Sequence, residues 1–227
     1  MRHLLTVRGI RKLTLVMVAC IPALLLTPGD SAARDGDRLR LIAGVDATLD
    51  AFLEDGEGAT VVRDALAKAR GVLVFTSAGT GGGGRQGLLF GRNASGAWTG
   101  PAVYTVVSGT LGRSPTDEIS RVLFIVLTDV ERLIATRVHL GGSGVSIARL
   151  PHDALPTTDL AAVTDVADGG ADPLVVFTGT VLAPDTDATN ALYGRRITTR
   201  DAVASTADLG DDIVILRRRL DAVTGMP

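Results

Sequence analysis

Apolar residues recur at three- and four-residue steps through Ile42, Val45, Leu49, Phe52 and Leu53, a spacing that gathers them on one face of a helix. Gly56-Glu57-Gly58 ends that pattern. A second helical stretch is predicted from Thr60, an N-cap residue by type, with Val61, Val62, Ala65, Leu66 and Ala69 on one side. From Gly71 the texture changes to short β-branched or apolar runs punctuated by glycine: Val72 to Phe75, Gly87 to Phe90, Ala102 to Val107 and Val122 to Leu127. These runs predict strands, as do Val145 to Ala148 and Leu174 to Leu182. Asp129 to Thr136 and Asp208 to Val223 read as helices, and Leu150 to Asp172, rich in Pro, Asp, Thr and Ala, reads as a long surface loop. Strands succeed one another without regular helices between them. That predicts an α+β fold: a largely antiparallel sheet, sandwich-like or open-barrel-like, with the N-terminal helices packed on it.

The chain before these elements has a different pattern. Arg2, Arg8, Arg11 and Lys12 precede an apolar run from Leu13 to Leu26, which is followed by the small residues Ser31-Ala32-Ala33. Charged, apolar and cleavable segments in that order are those of an export signal, with cleavage expected after Ala33. The run is shorter than the roughly 20 residues that span a bilayer as a helix, and Pro22 and Pro28 interrupt it. Residues 1–33 are therefore expected to be a signal peptide and residues 34–227 a single domain, exported to the periplasm, the envelope or the outside of the cell. The only cysteine, Cys20, lies in the middle of the apolar run rather than at its close, unlike a lipobox cysteine, so the mature domain is expected to carry no disulfide.

Charge narrows the partners. The whole chain has 23 Lys+Arg and 25 Asp+Glu, and removing residues 1–33 takes away four cations and one acid, leaving 19 and 24, a net charge of −5. Such a balance lacks the broad positive field that gathers phosphate backbones, which excludes nucleic acid as an expected partner. Any anionic surface must meet a local cluster of cations. The best candidates along the chain surround the first strand: Lys68 and Arg70 at the end of the second helix, Arg85 after the glycine run, and Arg92 at the end of the next strand.

Chemical motifs are sparse. Gly79-Thr80-Gly81-Gly82-Gly83-Gly84 fits G-x-G-x-x-G after a strand, but Arg85 to Gly91 reads as another strand, where a dinucleotide site needs a helix, and no acid lies near position 99. No Gly-Lys-Ser/Thr follows the glycines, so neither nucleotide binding nor phosphoryl transfer is expected. His139, at a strand edge, and His152, in the Pro-rich segment, have no metal-ligand spacing, and no metal or cofactor is expected. Gly141-Gly142-Ser143-Gly144-Val145 lacks the closing glycine of a nucleophile elbow. A hydrolytic centre would require His139 to meet Asp185 or Asp187 in the fold, and a non-enzymatic protein is the expectation. Asn93-Ala94-Ser95 reads as a turn.

The segment Ala67-Lys68-Ala69-Arg70-Gly71-Val72-Leu73-Val74-Phe75, the glycines 81–84 leading into Gly87-Leu88-Leu89, and Gly96-Ala97-Trp98-Thr99-Gly100-Pro101-Ala102-Val103-Tyr104 occur in the order of the motif blocks of a SYLF domain. Gly179 to Asp185 and Asn190-Ala191-Leu192-Tyr193-Gly194 resemble its later blocks. The chain departs from the family after the first strand, where Ser77-Ala78-Gly79-Thr80 stands in place of a lysine and an aromatic. The resemblance implies a non-enzymatic module that binds phospholipid or a membrane surface. Lys68, Arg70, Arg85, Arg92 and Trp98 are the expected lipid-binding residues. An envelope structural or protein-interaction domain without a lipid site is the alternative. Trp98 and Tyr104, bracketed by Gly96 and Pro101, are also expected at or beside the core.

Overall fold

The computed structural model describes residues 28–54, 57–76, 85–109, 111, 121–135, 137–140, 145–150, 159–164, 177 and 179–225. Two helices open it, α1 (Pro28–Leu53) and α2 (Glu57–Lys68), followed by strands β1 (Gly71–Phe75), β2 (Gln86–Arg92), β3 (Trp98–Ser108) and β4 (Val122–Val126). A short helix α3 (Glu131–Ala135) leads to β5 (Val138–His139), β6 (Ile147–Arg149), β7 (Leu160–Thr164) and β8 (Val181–Pro184). Helices α4 (Thr186–Tyr193), α5 (Thr199–Val203) and α6 (Asp211–Val223) complete it.

The strands form one sheet in the order β5-β8-β3-β2-β1-β4-β7-β6. Every pairing from β5 to β7 is antiparallel, and only the edge strand β6 runs parallel to its neighbour. The expected α+β class and antiparallel sheet are therefore the observed ones. The sheet curls like a half-barrel: β5 and β6 are its opposite edges, yet Leu140 and Val145, just beyond them, form a bridge. Curling gives the sheet an inside and an outside, and both are covered. Leu73, Phe75, Leu89, Tyr104, Phe124 and Leu182 point inward with Phe177, while Val72, Val74, Leu88, Phe90, Val103 and Ile125 point outward under α1, α2 and α6. Burial on both faces explains why β1 and β4 are continuous apolar runs rather than alternating ones, unusual for antiparallel strands.

The helices sit close to the sheet for identifiable reasons. On α1, Ile42, Val45 and Leu49 face β1 and β2, and Gly44 lets the helix approach Thr76. A Cβ on Gly44 would lie 2.9 Å from the Thr76 Cβ. Arg219 of α6 pairs with Asp46 at 2.9 Å and with Asp50, fixing α6 along α1. Gly100 has φ +102 and donates its N–H to Ser205 at 2.9 Å, a backbone conformation that side chains resist.

Several expectations need correction. The second helix begins at Glu57, so Thr60 lies within its first turn instead of capping it. Within the expected loop Leu150 to Asp172, residues Leu160–Thr164 are the buried strand β7, paired with β4; 151–158 and 165–172 lie outside the described residues. Of the expected strand Leu174 to Leu182, residues 174–176 and 178 lie outside the described residues; the Phe177 carbonyl accepts from the Thr180 N–H in a turn, and β8 begins at Val181. Val145 precedes β6 as a bridge residue instead of starting the strand. The turn at Asn93-Ala94-Ser95 is present, with the Asn93 carboxamide oxygen accepting from Ala97 N–H at 3.0 Å.

Candidate functional site

Helix α4 is stitched to β3 by polar contacts that leave an apolar gap beside them. Asp185 caps α4 by accepting from the Ala188 N–H at 2.9 Å, and its second oxygen accepts from Gln86 of β2 at 3.1 Å. The Asp185 N–H donates to the Val103 carbonyl, and the Val103 N–H donates to the Thr189 hydroxyl at 3.0 Å. On the facing side, the Arg38 guanidinium of α1 donates to the Leu209 carbonyl. Between these anchors the side chains of α4 are small. Ala188 and Ala191 leave space that Leu192 does not close, and a cavity of about 400 Å³ opens between α1, α4 and the outer face of β2 and β3. That volume lies at the lower end of the roughly 300–1,000 Å³ of ligand pockets. Its deeper walls are Leu41, Ile42, Leu88 and Val103, and the exposed Asp35 and Asp37 stand at its mouth.

The inside of the curled sheet is occupied by protein. Phe124 is edge-on to Phe75 with ring centroids 6.2 Å apart and to Phe177 at 5.3 Å. Tyr104 is fully buried beside them and donates its hydroxyl to the Leu133 carbonyl at 2.8 Å, and burial pushes its ionisation up. The apolar space offered to a ligand in this region therefore lies outside the sheet, under α1 and α4.

The sequence-predicted residues do not assemble into one site. Lys68 is exposed in the last turn of α2 and Arg70 just after it. Arg70 and Arg92 are neighbours, since the Arg92 N–H donates to the Arg70 carbonyl at 3.0 Å. Arg85 belongs to the other end of the same hairpin, where its guanidinium reaches the Thr76 carbonyl at 3.5 Å. At ~3.3 Å per residue along β2, Arg85 and Arg92 are about 23 Å apart. Arg92 is itself engaged: it donates to Gly96 and Ala67 carbonyls at 2.7 and 2.9 Å, capping α2, and lies 5.4 Å from the centre of the Trp98 ring. Trp98 is only 3% exposed and donates its indole N–H to Thr224 at 3.4 Å. Trp98 and Tyr104 are thus core residues, as the glycine and proline around them suggest.

Arg70, Arg92 and Arg200 do line a second, more open cleft of about 580 Å³, but Asp129 and Glu131 line it too, and Arg200 pairs with Glu131. His139 is exposed on the edge strand β5, opposite Val181, whereas Asp185 follows the far end of β8 and is engaged as a cap. His139 and Asp185 are therefore not paired, and Asp187 is exposed in the first turn of α4. The glycine run, Ser143 and His152 lie outside the described residues, while the segment after the glycines is the strand β2, as expected. Among the described residues no group of three or more His, Cys, Asp or Glu is placed to hold a metal, and no helix is long and apolar enough to cross a membrane.

Asp159 is the strongest polar hub, and it serves the fold. It accepts from the Ser146 N–H and hydroxyl at 3.1 and 2.9 Å, from Thr128 at 3.1 Å and from Arg132 at 2.9 Å, tying β6, β7 and α3 together. Partial burial pushes its pKa up, but the hydrogen bonds from Ser146 and Thr128 and the charge of Arg132 outweigh this and hold it below the ordinary value. A depressed carboxyl stabilises the fold above the unfolded-state pKa and loses that contribution as pH falls through the folded one. Asp159→Asn is expected to cost about 2 kcal/mol at pH 7, with the difference from wild type shrinking towards pH 3. Thermal melts across that range check it; a constant difference would contradict the assignment.

Comparison with protein-family models, with curated proteins and with solved structures found no match to this chain.

Proposed function

We propose that this protein is an exported, non-enzymatic lipid-binding domain, and that the cavity between α1, α4 and the outer face of the sheet takes the lipid's acyl part. The observation that carries the reading is the apolar cavity of about 400 Å³, its walls held by Gln86, Asp185, Thr189 and Arg38 while small alanines leave its centre open. Burying apolar surface at about 25 cal/mol per Å² makes such a space attractive to a hydrocarbon chain. The order of blocks that resembles the SYLF family points to the same class of ligand. Export is supported by the charged, apolar and small-residue order of residues 1–33. Cleavage after Ala33 keeps every described core side chain of α1, of which Leu41 is the first.

The lipid partner is a phospholipid or a membrane surface at the envelope or outside the cell, with no nucleotide or cofactor required. A second reading, an envelope structural or protein-interaction domain, is favoured by one observation: the cations proposed to meet a head group are split between the two ends of the β1–β2 hairpin. Protein recovered after export is expected to have the mass of a chain beginning at Arg34 and to sediment with phospholipid vesicles. Absence of binding to vesicles of any phospholipid composition would favour the second reading, and a mass that retains Leu13 to Leu26 would contradict cleavage.

A further inference from the structure

The polar groups at the cavity mouth follow an order along α1. Leu41 and Ile42 line the deep part, Arg38 lies one turn nearer the mouth, and the exposed Asp35 and Asp37 stand at the rim. A helix rises 1.5 Å per residue, so Asp35 starts about 4.5 Å nearer the mouth than Arg38 and Asp37 about 1.5 Å. Arg38 is only partly engaged: its terminal nitrogen donates to Leu209, while its Nε is buried and has no hydrogen-bond partner. The Arg38 guanidinium lines the cavity, where its positive charge favours an anionic group. Among the described residues at the mouth, Asp185 is engaged, accepting from Gln86 and Ala188, whereas Asp37 shares only a solvent-exposed 3.4 Å pair with Arg40, which leaves Asp35 and Asp37 open to an incoming cation.

From this order we infer that the cavity selects an amphiphile with a zwitterionic phospho-ammonium head, its chain against Leu41, Ile42, Leu88 and Val103, its phosphate at Arg38 and its ammonium at Asp35 and Asp37. This specifies the ligand class of the lipid-binding reading and rests on it. It replaces the anionic head group expected from the cations around the first strand, none of which lines this cavity. A purely anionic head would satisfy Arg38 but would also meet two rim carboxylates. A purely cationic head would answer the rim carboxylates but would meet the Arg38 charge. The zwitterion answers both.

The test is calorimetric binding of dodecylphosphocholine, dodecyl phosphate, dodecyltrimethylammonium, dodecyl maltoside and free phosphocholine to the exported protein, each amphiphile below its micellar concentration. Dodecylphosphocholine should bind roughly tenfold or more tightly than the other chains at low salt, with the gap narrowing as ionic strength rises. Free phosphocholine should bind far more weakly. Asp35→Asn with Asp37→Asn, both exposed positions, should remove most of the preference over dodecyl phosphate while leaving dodecyl maltoside unchanged. Arg38→Gln should remove the preference over dodecyltrimethylammonium, read in a variant whose melting is checked because Arg38 also holds Leu209. Equal affinity for all chains, or tightest binding of dodecyl phosphate, would overturn the head-group inference and leave the acyl-binding reading standing. Binding of no chain at all would overturn both.

Discussion

Replacing Trp98 by Ala is expected to cost about 3–5 kcal/mol and to leave amphiphile binding by the folded protein unchanged. Trp98 begins β3, is 3% exposed and joins three parts of the molecule. Its backbone N–H donates to Asp221 at 3.1 Å and its indole N–H to Thr224 at 3.4 Å, holding the end of α6. Its ring packs in the core outside the sheet, with the Arg92 guanidinium 5.4 Å from its centre. The substitution removes the ring, leaves a void beside α6 and deprives Arg92 of its stacking partner. For a domain of this size such a loss lowers the melting temperature by roughly 10 °C or more. The second half of the expectation separates two roles. Trp98 does not line the cavity under α4, so lipid affinity measured well below the melting transition should match wild type. An unchanged melting temperature with lost lipid binding would instead make Trp98 a ligand contact.

The other large effect is expected inside the curl. Phe124 is fully buried on β4, between β1 and β7, with edge contacts to Phe75 and Phe177. Phe124→Ala should cost about 3–5 kcal/mol from lost burial and the cavity left behind, and the two aromatic contacts add about 0.5–1.5 kcal/mol each. Against a total stability of about 5–15 kcal/mol, that is enough to leave the variant marginal. Chemical unfolding should show a lower midpoint with an unchanged slope, and Phe124→Leu should recover about half of the loss. A cost below about 1 kcal/mol would mean that the inside of the sheet is not packed as described, and would reopen it as a place for ligand.

Much of this fold is legible in the chain because its main signals are local. The steps Ile42–Val45–Leu49 and Leu216–Leu220 mark helices, and glycine-bounded runs such as Val72–Phe75 and Val122–Val126 mark strands. Strand β7 escapes notice because Leu160-Ala161-Ala162-Val163 is short, alanine-rich and set among Pro, Asp and Thr, and only pairing with β4 makes it a strand. Helix α4 did carry a signal: Asp185 is its N-cap and Gly194, with φ +63, its left-handed C-cap, at the spacing of a short helix. Helix α5 likewise has Thr198 accepting from the Asp201 N–H.

The candidate site was far less legible. Its lining comes from residues 35–42, 86–88, 103 and 188–192, distant segments joined only by the sheet and its helices. The residues that matter most for its volume are alanines, which carry no chemical signature. Proximity along the chain suggested a cluster of Lys68, Arg70, Arg85 and Arg92, but an antiparallel hairpin places its two ends a full strand length apart, and Arg85 went to the other end. Arg92, a candidate head-group cation by sequence, is a helix cap by structure.

The most direct test of the central claim is native mass spectrometry of the exported protein and of Ala188→Phe, each purified from its own host without added detergent. Ala188 is a half-buried residue of α4 facing the cavity, and a phenyl ring there fills the space without removing any polar anchor. A fraction of wild-type protein is expected to carry a single amphiphile, released on collisional activation, and the Ala188→Phe protein to melt normally but carry none. Wild-type protein without bound lipid, or an Ala188→Phe protein that carries as much as wild type, would contradict the claim.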